Sequence, residues 1–213
     1  MKPVVVINPN SNAAVTAGLD AALAAFRFDG GPAVECLTLA EGPFGIESQL
    51  HVEQVTLPLA RLVESRPDAG AFVIACYSDP GLELCRTVTS APVFGIMASG
   101  VMTAMARADR FGVIALSEAS IRRHLRSLRT MGVGDRLVGE RAADLSVAAS
   151  GGEAAFDALL AAGRALVADG AQAVVLGCAG MARQRPGLEA ALGVPVIDPT
   201  RAAVAMALGA VLA

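Results

Sequence analysis

The segments AGAFVIAC (residues 69–76) and GAQAVVLGC (residues 170–178) carry the clearest structural signal in this chain. Each is a short apolar run rich in β-branched residues, which predicts a strand buried on both faces. Each is followed by a short helical segment and then by a Pro-Val strand, at nearly the same spacing. This echo predicts two similar α/β halves produced by internal duplication. The alternative is that α/β chains repeat such patterns generally, without duplication.

Further strands and helices alternate on both sides of these segments. Strands are predicted at residues 3–8, 33–39, 71–76 and 93–96, and again at 111–116, 136–140, 173–178 and 194–197. Helices are predicted at residues 12–26, 49–65, 80–89, 118–129, 153–169 and 181–192, with the apolar tail 202–213 as a buried helix. This βα alternation predicts a mostly parallel sheet in each half.

The composition is typical of a globular protein and argues against a nucleic-acid-binding or membrane protein. The chain has 213 residues, of which 54% are hydrophobic, enough for sizeable cores. The 17 basic and 20 acidic residues are scattered and give a net charge of -3, so nucleic acid is not an expected partner. The apolar tail is too short to cross a bilayer, and the N-terminus shows no export signal. We therefore expect a cytoplasmic protein with no membrane partner.

The sequence offers no evident cofactor or metal site. Lys2 is the only lysine, so no interior lysine could hold pyridoxal phosphate. The histidines, His51 and His124, lack partners at metal-ligand spacing, and no nucleotide-binding glycine motif occurs. The four cysteines form no CxxC pair. We expect side chains and backbone amides alone to perform any chemistry.

Two cysteines occupy the positions where open α/β sheets bind ligands, beyond the carboxyl ends of strands. Cys76 ends one predicted strand and Cys178 ends its counterpart. Ser78 or Asp79 is expected to cap the helix that follows Cys76. Backbone amides and the helix dipole would stabilise a thiolate or a developing oxyanion there.

A pseudo-twofold axis would set these thiols on opposite faces of one bound molecule, which suits two-base proton transfer. A free thiol has a pKa near 8.5 and would need only a modest downward shift to act as a base at neutral pH. The plainer interpretation is that cysteine is a small hydrophobe filling a strand end. We accept that interpretation for Cys36 and Cys85.

Four motifs resemble the aspartate/glutamate/hydantoin racemase superfamily: VVVINPNSN (4–12), GPFGIES (42–48), ACYSDPGL (75–82) and LGCAGM (176–181). They span nearly the whole chain in the expected order. Amino-acid racemases of the superfamily usually carry Cys-Asn-Thr and Cys-Thr-His around the two thiols. This chain has Cys-Tyr-Ser and Cys-Ala-Gly there, so it is more similar to the hydantoin and allantoin racemase branch.

The resemblance implies an α/β fold of two similar Rossmann- or flavodoxin-like halves, each with a four-stranded parallel sheet, related by pseudo-twofold symmetry. Residues 1–97 would form the first half, joined by a C-terminal helix at 199–213. Residues 98–198 would form the second half, with the active site at their interface. Related enzymes are commonly oligomers, so a homo-oligomer is expected.

The same resemblance implies roles for individual residues. Cys76 and Cys178 would be the acid/base pair, and substrate contacts would come from Asn10, Ile46, Glu47, Tyr77, Ser78, Asp79, Ser117, Ala179 and Gly180. Tyr77-Ser78 replaces a common Phe-Gly, and Ser117-Glu118 replaces a frequent Thr-Thr.

Several of these residues, and both histidines, also have structural interpretations. Asn10 could cap a helix, Glu47 could be a solvated loop charge, and Asp79 could be an N-cap. His51 fits the surface of its predicted helix. His124 lies in a basic run that fits a solvated or subunit-facing helix.

The function expected from the resemblance is a cofactor-independent racemase that inverts C5 of a hydantoin-type cyclic ureide, a 5-substituted hydantoin or allantoin. An amino-acid racemase acting on aspartate or glutamate is the alternative on the same scaffold, ahead of a one-cysteine decarboxylase or a cis/trans isomerase. From other classes, a non-catalytic small-molecule binding protein and a thiol redox sensor stay open. A redox sensor would need the two thiols close enough to join.

Overall fold

The computed structural model describes residues 1–213 and contains two four-stranded sheets. The first sheet has the spatial order β2-β1-β3-β4, formed by β1 (Val4–Asn8), β2 (Val34–Thr38), β3 (Ala71–Ile74) and β4 (Val93–Gly95). The second has the order β6-β5-β7-β8, formed by β5 (Phe111–Ala115), β6 (Leu137–Ala142), β7 (Ala173–Leu176) and β8 (Val196–Ile197). All neighbouring strands run parallel, which confirms the predicted fold class.

Eight α-helices connect or flank these strands. They are α1 (Ala13–Ala22), α2 (Gln49–Glu64), α3 (Leu82–Thr87), α4 (Ile96–Arg107), α5 (Glu118–Thr130), α6 (Phe156–Ala168), α7 (Arg185–Leu192) and α8 (Pro199–Leu212). Short 3-10 turns precede or follow several of them, so the predicted helices at 12–26, 153–169 and 181–192 are each part α-helix and part 3-10. None of the helices is long and apolar enough to span a bilayer.

The two central strands of each sheet have matching pairs at their carboxyl ends, next to the loops that carry the cysteines. Ile7 of β1 pairs with Ile74 of β3, and Ile114 of β5 pairs with Leu176 of β7. All residues of these four strands are buried, as continuous apolar runs between two helical layers require. Both strands β3 and β7 end two residues earlier than predicted, which leaves each cysteine in the loop that follows.

Helix α4 was not predicted from the sequence. Its first residue follows Gly95 of β4 directly, and Gly95 offers no side chain to cap it. Within IMASGVMTAMAR, glycine, serine and threonine weaken the helical propensity. The carboxylate that caps this helix comes from a loop far back in the chain, as described below, so no local signal marks its start.

Helices α4 and α8 exchange places between the halves. Helix α4 follows the first sheet but packs against β7 and β8 of the second, whereas α8 follows the second sheet and packs against β1, β3 and β4 of the first. The two helices also pack against each other, and a Cβ at Gly100 of α4 would lie 2.8 Å from Cβ of Pro199. The small residue therefore allows the close approach of the two helices.

Candidate active site

A cavity opens where the loops after β3 and β7 face each other. Residues of the first half that line it are Asn10, Val15, Ile46, Ala75, Cys76, Tyr77 and Ser78. Residues of the second half that line it are Leu116, Ser120, Arg123, His124, Val147, Gly177, Cys178, Ala179 and Gly180. Eight of the eleven predicted site residues are among them, while Glu47, Asp79 and Ser117 lie outside the lining.

Burial dominates the electrostatics of both thiols. It raises the pKa of Cys76 to about 12, against an opposing hydrogen bond from the amide of Ser78. It also raises the pKa of Cys178, against an opposing hydrogen bond from the amide of Gly180. The pKa of neither thiol is lowered, because the amides do not compensate for lost hydration. Neither cysteine is in a disulfide.

Cys178 is held by a small cluster of groups. Its Sγ accepts a hydrogen bond from the amide of Gly180 at 3.4 Å and lies 3.8 Å from Oγ of Ser150. Ser150 is fully buried and donates to the carbonyl of Val147 at 2.8 Å. A Cβ at Gly180 would lie 2.4 Å from Oγ of Ser150, so only glycine fits there without displacement.

Asn10 lies in a turn whose hydrogen bonds fix its orientation. Its Oδ1 accepts from the side-chain amide of Asn8 at 3.0 Å and from the backbone amide of Asn12 at 3.0 Å. Its side-chain Nδ2 makes no hydrogen bond within the chain, and the residue lines the cavity. The suggestion that Asn10 caps a helix is wrong, because Asn12 caps α1 by accepting from the amide of Ala14.

Glu47 connects the two halves beside the cavity. Its Oε1 accepts from the amide of Val147 at 3.1 Å, and its carbonyl accepts from Nη1 of Arg123 at 3.1 Å. The residue is exposed, yet both contacts cross from the first half to the second. Glu47 is therefore neither a cavity residue nor merely a solvated charge. Nearby, a Cβ at Gly42 would lie 2.3 Å from the carbonyl of Pro9, which explains glycine in this loop.

Asp79 caps a helix other than the one predicted. Its carboxylate accepts from the amides of Met97 at 2.9 Å and Ala98 at 3.0 Å, at the start of α4. Its φ of 42° places it in the left-handed region, which Asp tolerates better than most residues. Burial raises the pKa of this carboxyl to about 7. The next helix, α3, begins later than predicted, with Gly81 as N-cap and no side-chain cap.

Ser117 is the N-cap of α5 and forms a capping box with Ser120. The hydroxyl of Ser120 donates to the carbonyl of Ser117 at 2.7 Å, and Ser120 lines the cavity. The predicted position therefore contributes indirectly, by fixing the start of a helix that presents three cavity residues, Ser120, Arg123 and His124.

His124 is not on a solvated face as predicted, but is 2% exposed. Its Nδ1 lies 2.8 Å from Oε2 of the buried Glu140, and its ring meets the edge of Tyr77 with centroids 4.9 Å apart. Burial raises the pKa of Glu140, with His124 opposing. The arginines of α5 suggested a polar helix, but Ser120, His124 and Leu128 recur every four residues and form its buried face. That spacing could have identified His124.

Sequence reasoning missed several further groups, namely Val15, Leu116, Ser120, Arg123, Val147 and Ser150. Of these, only Ser120 could have been predicted, from its four-residue spacing to His124. The others lie on loops or helix faces that meet the cavity only because of the way the two halves pack together. No group of three or more His, Cys, Asp or Glu side chains is arranged to hold a metal ion.

Comparison with known proteins agrees with this architecture. A sequence model of the Asp/Glu/hydantoin racemase family matches residues 4–207. The chain is 38% identical to a hydantoin racemase of Pseudomonas sp. (strain NS671), over 95% of this chain and 83% of that protein. It is 36% identical to a hydantoin racemase of Paenarthrobacter aurescens, over 96% of this chain and 89% of that protein.

A solved structure gives the same result. The allantoin racemase of Klebsiella pneumoniae superposes with a TM-score of 0.93 and 29% identity, covering 100% of this chain and 88% of that one. The family match and the identities to curated relatives extend over nearly the full chain. The chain therefore belongs to the Asp/Glu/hydantoin racemase family and is an isomerase of the racemase class.

Proposed function

We propose that the chain is a cofactor-independent racemase that inverts the C5 stereocentre of a hydantoin-type cyclic ureide, a 5-substituted hydantoin or allantoin. One observation carries the proposal: Cys76 and Cys178, at equivalent strand ends of two similar sheets, line one cavity. The division into residues 1–97 with 199–213, and 98–198, belongs to the same proposal and puts the active site between them. A cytoplasmic homo-oligomer stays a prediction.

In this mechanism one cysteine, as thiolate, removes the proton from C5, and the electron pair of that bond moves toward the adjacent ring carbonyl. The other cysteine, as thiol, delivers its proton to the opposite face of C5, and the carbonyl re-forms. The product is the mirror image of the substrate, and the two sulfurs have exchanged protonation states.

The remaining cavity groups would hold the planar ring. The side-chain amide of Asn10 is free to donate, and the amides beside Ser78 and Ala179 lie next to the thiols, where negative oxygen develops. Ile46 and Tyr77 provide apolar and aromatic surface, and Gly180 supports Cys178. Glu47, Asp79 and Ser117 would act by positioning these groups, since none of them lines the cavity.

The test uses single enantiomers of allantoin, 5-isopropylhydantoin, aspartate and glutamate, each incubated with enzyme in heavy water. We expect loss of optical rotation and deuterium entry at C5 for the ureides. Racemisation of aspartate or glutamate, with no exchange in any ureide, would overturn the ureide assignment in favour of an amino-acid racemase.

Cysteine variants test the two-base mechanism. Cys76→Ser and Cys178→Ser should each abolish racemisation, because each removes one of the two proton carriers. Cys36→Ser is the matched control, since Cys36 lies in β2 away from the cavity, and it should keep full activity. Full racemisation in either of the first two variants would show that the two-base assignment is wrong.

A further inference from the structure

Arg123 is a cation in the cavity wall without an acidic partner. It projects from α5 and lines the cavity, and no carboxylate lies within salt-bridge distance of it. No Asp or Glu lines the cavity at all. Burial of the guanidinium lowers the pKa of Arg123, yet arginine stays charged in proteins. Apart from a cysteine in its thiolate form, the cavity walls therefore hold no group of opposite charge.

The hydrogen bonds of Arg123 leave one edge of its guanidinium unused. Nη1 donates to the carbonyls of Glu47 at 3.1 Å and Ala119 at 3.2 Å, which fix the plane of the group. Nε is buried without a partner, and Nη2 makes no hydrogen bond within the chain. The Nε and Nη2 donors form the fork that binds a carboxylate with two parallel hydrogen bonds. Arg123 as a whole lines the cavity, so these two donors are the ones left for a ligand there.

Arg123 lies near Cys76, where a substrate would bind. Arg123 is close enough to Cys76 that its charge lowers the pKa of the thiol, against the larger effect of burial. A group attached to C5 of a ring held at the thiols would extend into the same cavity. A neutral hydrocarbon substituent would leave the free donors of the guanidinium without an acceptor, whereas a carboxylate would accept from both and bring a negative charge to them.

Resting on the proposed function, we propose that Arg123 binds a carboxylate on the 5-substituent, so that the preferred substrates are hydantoins with an anionic side chain. The ring and the reacting carbon remain as described above. Arg123 would thus determine specificity and would not transfer a proton.

The experiment compares 5-(2-carboxyethyl)hydantoin with its neutral near-isostere 5-(2-carbamoylethyl)hydantoin, in the wild type and in Arg123→Gln. Hydrogen bonds to charged groups contribute about 1.5 to 3 kcal/mol, so the variant should lose about 10- to 100-fold in kcat/KM for the carboxylate substrate, mainly through KM. For the amide substrate the change should stay within about threefold. Arg123→Lys keeps the charge without the fork and should fall between these two proteins.

Arg126→Gln is the matched control, because it removes one charge from the same helix at a residue outside the cavity lining. It should leave the ratio of the two substrates unchanged. An equal loss of kcat for both substrates in Arg123→Gln would overturn the proposal, since it would mean stabilisation of the ring oxygen instead. Equal kcat/KM of the two substrates in the wild type would also overturn it. Absence of racemisation with every ureide would refute the proposed function itself. That result differs from the two outcomes that would overturn only the role of Arg123.

Discussion

The capping of α4 by Asp79 gives the sharpest stability prediction. Replacing Asp79 with alanine removes the acceptor of two amides, those of Met97 and Ala98, each of which costs about 1 to 3 kcal/mol when buried without a partner. Both bonds are only partly buried, so water recovers part of that energy. Alanine also tolerates the φ of 42° poorly, at a cost of roughly 1 to 2 kcal/mol. We expect Asp79→Ala to lower the free energy of unfolding by about 2 to 4 kcal/mol.

Asp79→Asn keeps a hydrogen-bond acceptor for the helix cap but removes the negative charge, so it distinguishes the two effects. Asparagine keeps an acceptor and tolerates the left-handed backbone, so we expect a loss below about 1 kcal/mol at pH 5. In the wild type, burial raises the pKa of Asp79 from 3.8 to about 7. The folded protein therefore binds this proton more tightly than the unfolded chain, and this group's contribution to stability falls as the pH rises from about 4 to about 7. The asparagine variant lacks that dependence.

The assay is urea unfolding of the three proteins at pH 5 and pH 8, followed by circular dichroism. The stability of Asp79→Asn relative to the wild type should rise with pH, by up to about 1.4 kcal/mol per unit inside the window. Two results would refute the reasoning: Asp79→Ala within about 0.5 kcal/mol of the wild type at both pH values, or a difference between Asp79→Asn and the wild type that does not change with pH.

Two further substitutions test the packing around the cavity. Gly180→Ala places a Cβ 2.4 Å from Oγ of Ser150, so we expect the free energy of unfolding to fall by about 1 to 3 kcal/mol, the cost of overpacking, and kcat/KM to fall as the groups around Cys178 shift. Gly18→Ala, where a Cβ meets nothing within 4 Å, is its control, and activity assays showing equal rates would contradict the steric interpretation. Glu140→Leu leaves Nδ1 of His124 buried without its partner and should destabilise the fold by about 1 to 3 kcal/mol in urea unfolding, whereas unchanged stability would mean that the pair is not needed.

The apolar strands and their cysteine ends were predictable because their signal is local. An alternation of buried strands and helices requires only the residues of each segment, so both sheets and the positions of Cys76 and Cys178 followed from the sequence. Helix α4 did not follow, because Asp79, which caps it, is distant in the chain. The burial of His124 was obscured by the arginines on the other faces of α5.

Within the site, the residues that could be predicted are mainly those adjacent in sequence to a cysteine. Residues adjacent to a cysteine, such as Tyr77 and Ala179, must lie near it, and they line the cavity. Arg123 and Val147 enter from elements that face the cavity only once the two halves are packed together, so their roles depend on tertiary contacts that periodicity does not encode.

The exchange of α4 and α8 between the sheets limits how the enzyme can move. The backbone passes from one half to the other at two places, where β4 leads into α4 and where β8 leads into α8, and these two helices are packed together. On that side the chain itself joins the two halves, whereas the rest of the boundary between them is held by non-covalent contacts such as Glu47 with Val147. We expect the Glu47 contacts to yield before the α4–α8 side does when the halves are pulled apart, because two backbone crossings reinforce that side and none reinforces the Glu47 side.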